Sequence, residues 1–204
     1  MIVSHRHRFV FLHIPKTAGT SICVGLGLRS GETGGWVKDS CVIVGRTKHH
    51  IVPQEIPENY FVFTFVRNPW DRILSYYMFR NDPRNADRKS IHPKERKISF
   101  KKWLQQLDKF KKYRRINRAF SIAISQQADI IENFAAYVGR YEFLERDIQF
   151  ICKKVGMTTP VLQIVNSSTK KTRPYGEYYD AESRDIVAQM YNKDIELFDY
   201  KFGV

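Results

Sequence analysis

Apolar residues along this chain fall in short unbroken runs separated by amphipathic stretches. Phe9-Val-Phe-Leu-His-Ile14 ends at Pro15 and predicts a buried strand over 9–14. Similar runs predict strands over 41–44, 60–66 and 136–141. Periodic spacing predicts helices over 99–112, 117–127, 144–155 (closed by Gly156) and 181–194. A short helix beginning Ile22-Cys-Val, with Thr20 or Ser21 as its cap, is expected after the first strand. Gly25 and Gly27 limit its length. Asn68-Pro69-Trp-Asp71 is a strong helix start: Asn caps, Pro occupies the first helical position and Asp71 complements the dipole. That helix should run to about Phe79. Gly31, Gly34 and Gly35 mark a loop. The strands alternate with helices and are too apolar to have a solvated face. The expected class is α/β, a P-loop-like three-layer fold with a central, mostly parallel sheet flanked by helices.

Composition narrows the class. The chain has 204 residues, 43% of them apolar, with 14 Phe and 11 Tyr. That is enough for a core and excludes a disordered chain. Its length fits one domain over 1–204 by the prior of about 100–200 residues each. No run approaches the roughly 20 apolar residues of a membrane span, and 9–14 is too short for a signal-peptide core. Cys23, Cys41 and Cys152 are odd in number and widely spaced. They suit neither a disulfide framework nor a zinc site, so a soluble, cytoplasmic protein is expected.

Charge is unevenly placed. Residues 80–118 hold 15 Lys/Arg and 4 Asp/Glu, a net of +11 out of the whole chain's +13. This segment reads as a basic, partly helical insertion, either simply solvated or a docking surface for an anionic partner. Trp103, Phe110 and Tyr113 interleave with its basic residues. Phe100, Trp103, Leu104 and Leu107 fall at helical spacing, which favours a core-facing role over base stacking and makes nucleic acid an unfavoured partner.

Two motifs carry chemistry. In the strand-loop-helix 9–22, the loop presents backbone N–H groups at a helix start. Lys16 adds charge, Thr17, Thr20 and Ser21 add hydroxyls, and Gly19 allows close backbone approach. This is a phosphate cradle, but no glycine precedes Lys16 as a nucleoside-triphosphate P-loop would require. In the second motif, Phe61 to Ser75, Arg67 lies just beyond a strand's C-terminal end and Ser75 two turns into the following helix. An arginine fork with a nearby hydroxyl suits a second phosphate. Asp71 and Arg72 read as structural, capping and pairing within the helix.

Together, His13-Ile-Pro-Lys-Thr-Ala-Gly-Thr-Ser21 and Phe65-Val-Arg-Asn-Pro-Trp-Asp-Arg-Ile-Leu-Ser75 resemble the sulfotransferases that use 3′-phosphoadenosine 5′-phosphosulfate. They look most like the carbohydrate branch, which includes heparan 2-O-sulfotransferases and bacterial relatives. Val138-Gly-Arg-Tyr-Glu142 with Leu144-Glu-Arg-Asp147, Asn166-Ser-Ser-Thr-Lys170 and Tyr178-Tyr179 extend the similarity over nearly the whole chain outside 80–118. The resemblance implies that Lys16, Thr17, Ala18, Gly19, Thr20 and Ser21 bind the 5′-phosphosulfate and that Arg67 and Ser75 bind the 3′-phosphate. Ser168 and Lys170 would fold over the donor, and adenosine 3′,5′-bisphosphate would be the product. No metal is implied, and no Asp/Glu cluster suited to Mg²⁺ stands out.

Sulfuryl transfer to a hydroxyl needs a base. His5 and His7 read as an exposed terminus, His13 as a core residue, and His92 falls in the basic insertion. His49 and His50 remain, after the second strand. The resemblance favours His50, whose spacing to Glu55-Ile56 fits; Glu55 itself is an alternative base. Lys16 would also stabilise charge on the leaving phosphate. The acceptor is expected to be a carbohydrate hydroxyl, and the basic segment suggests an anionic glycan. The chain is short for this family, so acceptor-binding elements are expected to be either missing or supplied by a second subunit, such as a homodimer partner. The competing readings are a nucleotide-dependent kinase-like enzyme and a polyanion-binding protein with a vestigial site.

Overall fold

A computed structural model describes residues 1–29, 42–43, 56, 58–85, 98–111, 123–131, 135–162 and 172–203. The chain divides into two compact units, Met1–Arg67 with Asp129–Ser167 and Asn68–Ala128 with Ser168–Val204.

The first unit is built on a sheet of five described strands in the order β3-β1-β2-β4-β5. They are β1 (Ile2–Ser4), β2 (Phe9–Leu12), β3 (Val42–Ile43), β4 (Phe61–Val66) and β5 (Tyr137–Arg140). β2 pairs parallel with β4, and β4 with β5. β1 runs antiparallel to both β2 and β3. Four strands therefore share one direction, which is the mostly parallel α/β sheet that the apolar runs predict.

Successive residues of β2 serve opposite faces. Phe9 and Phe11 join Ile22, Cys23, Phe63, Phe65, Ile148, Ile151 and Cys152 in one core. Val10 and Leu12 join Met1, Val3 and Val62 in another. The first core takes in α1 (Gly19–Gly25) and α5 (Leu144–Lys154). Helix α5 contributes Leu144, Ile148, Ile151 and Cys152 at helical spacing, and its cap residue Val155 continues the row. Gly156, at φ +68, ends it as expected. In β5, a Cβ on Gly139 would stand 2.6 Å from the Phe65 ring, so the glycine makes room for that ring.

Strand β1 is not predicted by the apolar pattern. Residues 1–4 are all buried, and His5 and His7 sit in the β1–β2 turn rather than on a loose terminus. His5 Nδ1 lies 2.8 Å from the Tyr60 hydroxyl. The predicted strand 9–14 stops at Leu12, and the helix expected from Ile22 begins at Gly19 with Ala18 as its cap residue.

The second unit is helical. Its α2 (Pro69–Arg80) begins as the sequence predicts: the Asn68 side chain accepts from the Trp70 N–H at 3.2 Å, Pro69 follows, and Asp71 lies in the first turn. Arg72 reaches outside its helix. Its guanidinium, 1% exposed, donates to the carbonyls of Ser125 (2.9 Å) and Ala123 (3.1 Å). In α3 (Phe100–Lys111), Trp103, Leu104 and Leu107 are buried, so the regular spacing marks a core face. Trp103 packs against Tyr76 and Tyr77. Lys101, on the basic segment, pairs with Asp180 (2.7 Å) and Glu182 (2.6 Å). Of the helix expected over 117–127, only 123–127 fall within the described residues, with Ala123 and Ile124 helical.

The long helix expected over 181–194 is two helices, α6 (Ala181–Met190) and α7 (Asn192–Phe198). The break falls at Tyr191, at φ −122 and ψ 30. Tertiary bonds hold it: the Tyr191 hydroxyl donates to the Ile124 carbonyl at 2.9 Å, and Asp194 accepts the N–H groups of Gln127 (2.9 Å) and Ala128 (2.8 Å). The Asp194 bonds cap the single turn α4 (Ala128–Ile131), where the chain returns to the first unit.

Candidate active site

The site begins at the C-terminal ends of β2 and β4. The chain leaves β2 toward β3 on one side of the sheet and leaves β4 toward β5 on the other. Adjacent parallel strands with diverging connections form a topological switch point, where open α/β sheets bind ligands. Lys16 and Arg67 both lie at this edge.

The loop after β2 is shaped by its backbone. Lys16 (φ 71) and Ala18 (φ 65) are both left-handed, while Thr17 between them is not. Such alternation turns successive N–H groups inward to form an anion-binding nest, and costs of order 1–3 kcal/mol per strained residue. The Thr17 hydroxyl is committed inward, donating to the Ile14 carbonyl at 2.9 Å with the residue fully buried. What Thr17 offers an anion is therefore its backbone. Ser21 is buried and Thr20 is half-buried. Helix α1 spans only seven residues, so the loop, not a long helix dipole, supplies the local positive potential.

Gly19 is required by packing. A Cβ there would fall onto the His13 imidazole. His13 is half-buried, not a core histidine, and stacks on Phe11 with ring centroids 5.6 Å apart. Gly19→Ala is expected to cost about 1–3 kcal/mol through this overlap. The double variant Gly19→Ala/His13→Ala should recover most of the loss in thermal melting. A single variant as stable as wild type would mean that the ring swings aside freely.

Arg67 follows β4 directly and is 6% exposed. Its Nη1 donates to the Lys16 carbonyl at 3.1 Å, tying the guanidinium to the left-handed loop. Its Cζ stands 3.9 Å from the centroid of the Tyr141 ring. Tyr141, which opens a 3-10 turn after β5, lies within the Val138–Glu142 block, but no spacing or motif there signals its contact with Arg67. Within that block, Asp147 is 1% exposed. It accepts the Arg140 N–H at 2.6 Å and pairs with Arg146 Nε at 2.8 Å. The acid at this spacing pins the exit of β5.

Ser75 is half-buried on α2 in the second unit. There Tyr179, half-buried, donates to the Trp70 carbonyl at 2.7 Å, and desolvation pushes its hydroxyl well above the usual tyrosine range. His49, His50, Glu55, Ser168 and Lys170 lie outside the described residues. The structure thus brings together Lys16, Thr17, Ala18, Gly19, Thr20, Ser21 and Arg67 within one unit. Among the described residues, no group of three or more His, Cys, Asp or Glu could hold a metal ion, and no helix is long and apolar enough to cross a membrane.

Comparison with known proteins agrees with this geometry. A sequence model of the sulfotransferase family matches residues 1–201. The chain therefore belongs to the sulfotransferase family, and the chemistry of that class is sulfuryl transfer. An uncharacterized protein of Archaeoglobus fulgidus is 26% identical to it over 106 residues, 52% of this chain and 76% of that relative.

Proposed function

We propose that this chain transfers the sulfuryl group of 3′-phosphoadenosine 5′-phosphosulfate to a hydroxyl of a carbohydrate acceptor. One observation carries the reading: the left-handed Lys16–Ala18 loop and the Arg67 guanidinium are joined by the 3.1 Å bond at a single sheet edge. The donor set fits a ligand with two anionic groups. Inward N–H groups and an ammonium suit a phosphosulfate, and a planar guanidinium suits a phosphate.

The donor, when bound, supplies an activated sulfuryl group and a phosphate leaving group. The loop N–H groups orient its anionic oxygens. Lys16 places positive charge where the bridging oxygen gains electrons as the sulfur–oxygen bond breaks. Arg67 binds the 3′-phosphate, with Ser75 as the hydroxyl of the same motif. A His50 ring nitrogen takes the acceptor's proton as its oxygen bonds to sulfur. Ser168 and Lys170 close over the donor. The acceptor is an anionic glycan drawn by the basic 80–118 segment, and a homodimer partner completes its site. The odd number and wide spacing of Cys23, Cys41 and Cys152 support a reducing, cytoplasmic setting.

The test is isothermal titration of adenosine 3′,5′-bisphosphate into wild type and Lys16→Ala, with and without a chelator. Wild type should bind, Lys16→Ala should bind about tenfold or more weakly, and the chelator should change neither, since Lys16 and Arg67 supply the positive charge. A larger rise in melting temperature with ATP and Mg²⁺ than with the bisphosphate would favour a kinase-like enzyme instead.

A further inference from the structure

Register places an aromatic ring beside the phosphate-binding arginine. β4 and β5 pair in parallel with Val66 opposite Arg140. The next residue on each strand, Arg67 and Tyr141, therefore emerges side by side. The guanidinium lies over the ring at 3.9 Å, while its Nη1 reaches the Lys16 carbonyl. Buried Asp147 fixes where Tyr141 emerges by holding the Arg140 N–H at 2.6 Å.

We infer that Tyr141 is a positioning residue for Arg67, holding the guanidinium plane set before the anionic ligand arrives. An arginine side chain carries considerable rotamer freedom, which ligand binding must otherwise freeze. A ring against the guanidinium face restricts that freedom. It also consumes none of the five N–H donors, which all lie in the plane. A hydrogen-bonding or carboxylate partner in its place would compete with the ligand for those donors. The side chain's value here is its aromatic face, not its hydroxyl.

The inference rests on Arg67 being the ligand of the 3′-phosphate, and the experiment separates the two. Wild type, Tyr141→Phe, Tyr141→Leu, Arg67→Gln and Tyr141→Leu/Arg67→Gln are titrated with adenosine 3′,5′-bisphosphate and with adenosine 5′-phosphate. Tyr141→Phe should bind both as wild type does. Tyr141→Leu should lose roughly three- to thirtyfold in affinity for the bisphosphate, the range expected for removing a cation–π contact. It should bind the 5′-phosphate unchanged, and it should add little to the loss in the Arg67→Gln background. Tyr141→Met is the substitute if the leucine variant does not fold.

If Arg67→Gln binds the bisphosphate as wild type does, the 3′-phosphate assignment fails and the inference falls with it. If Arg67→Gln loses affinity while Tyr141→Leu does not, only the inference is overturned. A Tyr141→Leu loss that is equal for both ligands, or undiminished without Arg67, also overturns it, because Tyr141 would then act on the nucleotide or the fold directly.

Discussion

Lys16→Gly is expected to fold at least as stably as wild type while sulfuryl transfer falls by about 10²–10³-fold. The two halves of this expectation have separate causes. Lys16 sits at φ 71, where a side chain costs about 1–2 kcal/mol that glycine does not incur. Glycine loses about 0.5–1 kcal/mol through the entropy of the unfolded chain. The difference is zero or favourable. The loss of activity comes from the ammonium, since removing one group aimed at developing charge typically costs about 10²–10³ in kcat. That charge grows on the bridging oxygen only as the bond breaks, so kcat should fall further than donor affinity. Thermal melting and steady-state transfer to an acceptor that wild type uses check both halves. Wild-type turnover would remove Lys16 from the chemistry. A marked drop in melting temperature would mean that the loop needs a side chain at this position. Ala18→Gly, at φ 65, is the control: it relieves the same strain and should leave turnover near wild type.

Arg72→Met is expected to destabilise the second unit by about 3–5 kcal/mol. The variant keeps the volume but removes the donors to two carbonyls, that of half-buried Ser125 and that of buried Ala123. It also removes a cation from beside buried Asp194, whose carboxyl is pushed above the ordinary aspartate value by burial, an effect that Arg72 opposes. The sign of the pH dependence follows. A carboxyl raised in the folded state holds its proton longer there than in the unfolded chain. Folded stability therefore falls as pH rises from the usual aspartate value through the raised one. Without Arg72 the carboxyl rises further and that fall continues to higher pH. The deficit of the variant should be smaller near about pH 4 than near about pH 7 in urea denaturation at the two values. A deficit independent of pH would show that Arg72 acts only through the two carbonyls.

Legibility differed from element to element for identifiable reasons. The α2 start was readable because Asn68, Pro69 and Asp71 act through local backbone geometry. The core face of α3 was readable because Trp103, Leu104 and Leu107 repeat at the helical period. β1 was not, since three residues carry too little periodicity; the strand exists because β2 and β3 pair with it on either side. The break at Tyr191 was not readable either. The 181–194 pattern is continuous, and the helix ends where it does because Ile124, Gln127 and Ala128 claim Tyr191 and Asp194 from elsewhere in the unit.

The sequence alone determined the class of sheet, the order of its main elements, and the two motifs that mark a candidate anion-binding edge. Each of these depends on local spacing, capping and charge, which are properties of neighbouring residues. Only the tertiary structure decided how that edge is built. It showed Lys16 and Ala18 left-handed, Thr17 turned inward, Gly19 making room for His13, and Arg67 held between the Lys16 carbonyl and the Tyr141 ring. Those features arise from strand register and packing between segments distant in the chain. Contacts of that kind leave no period or motif for a sequence reading to find.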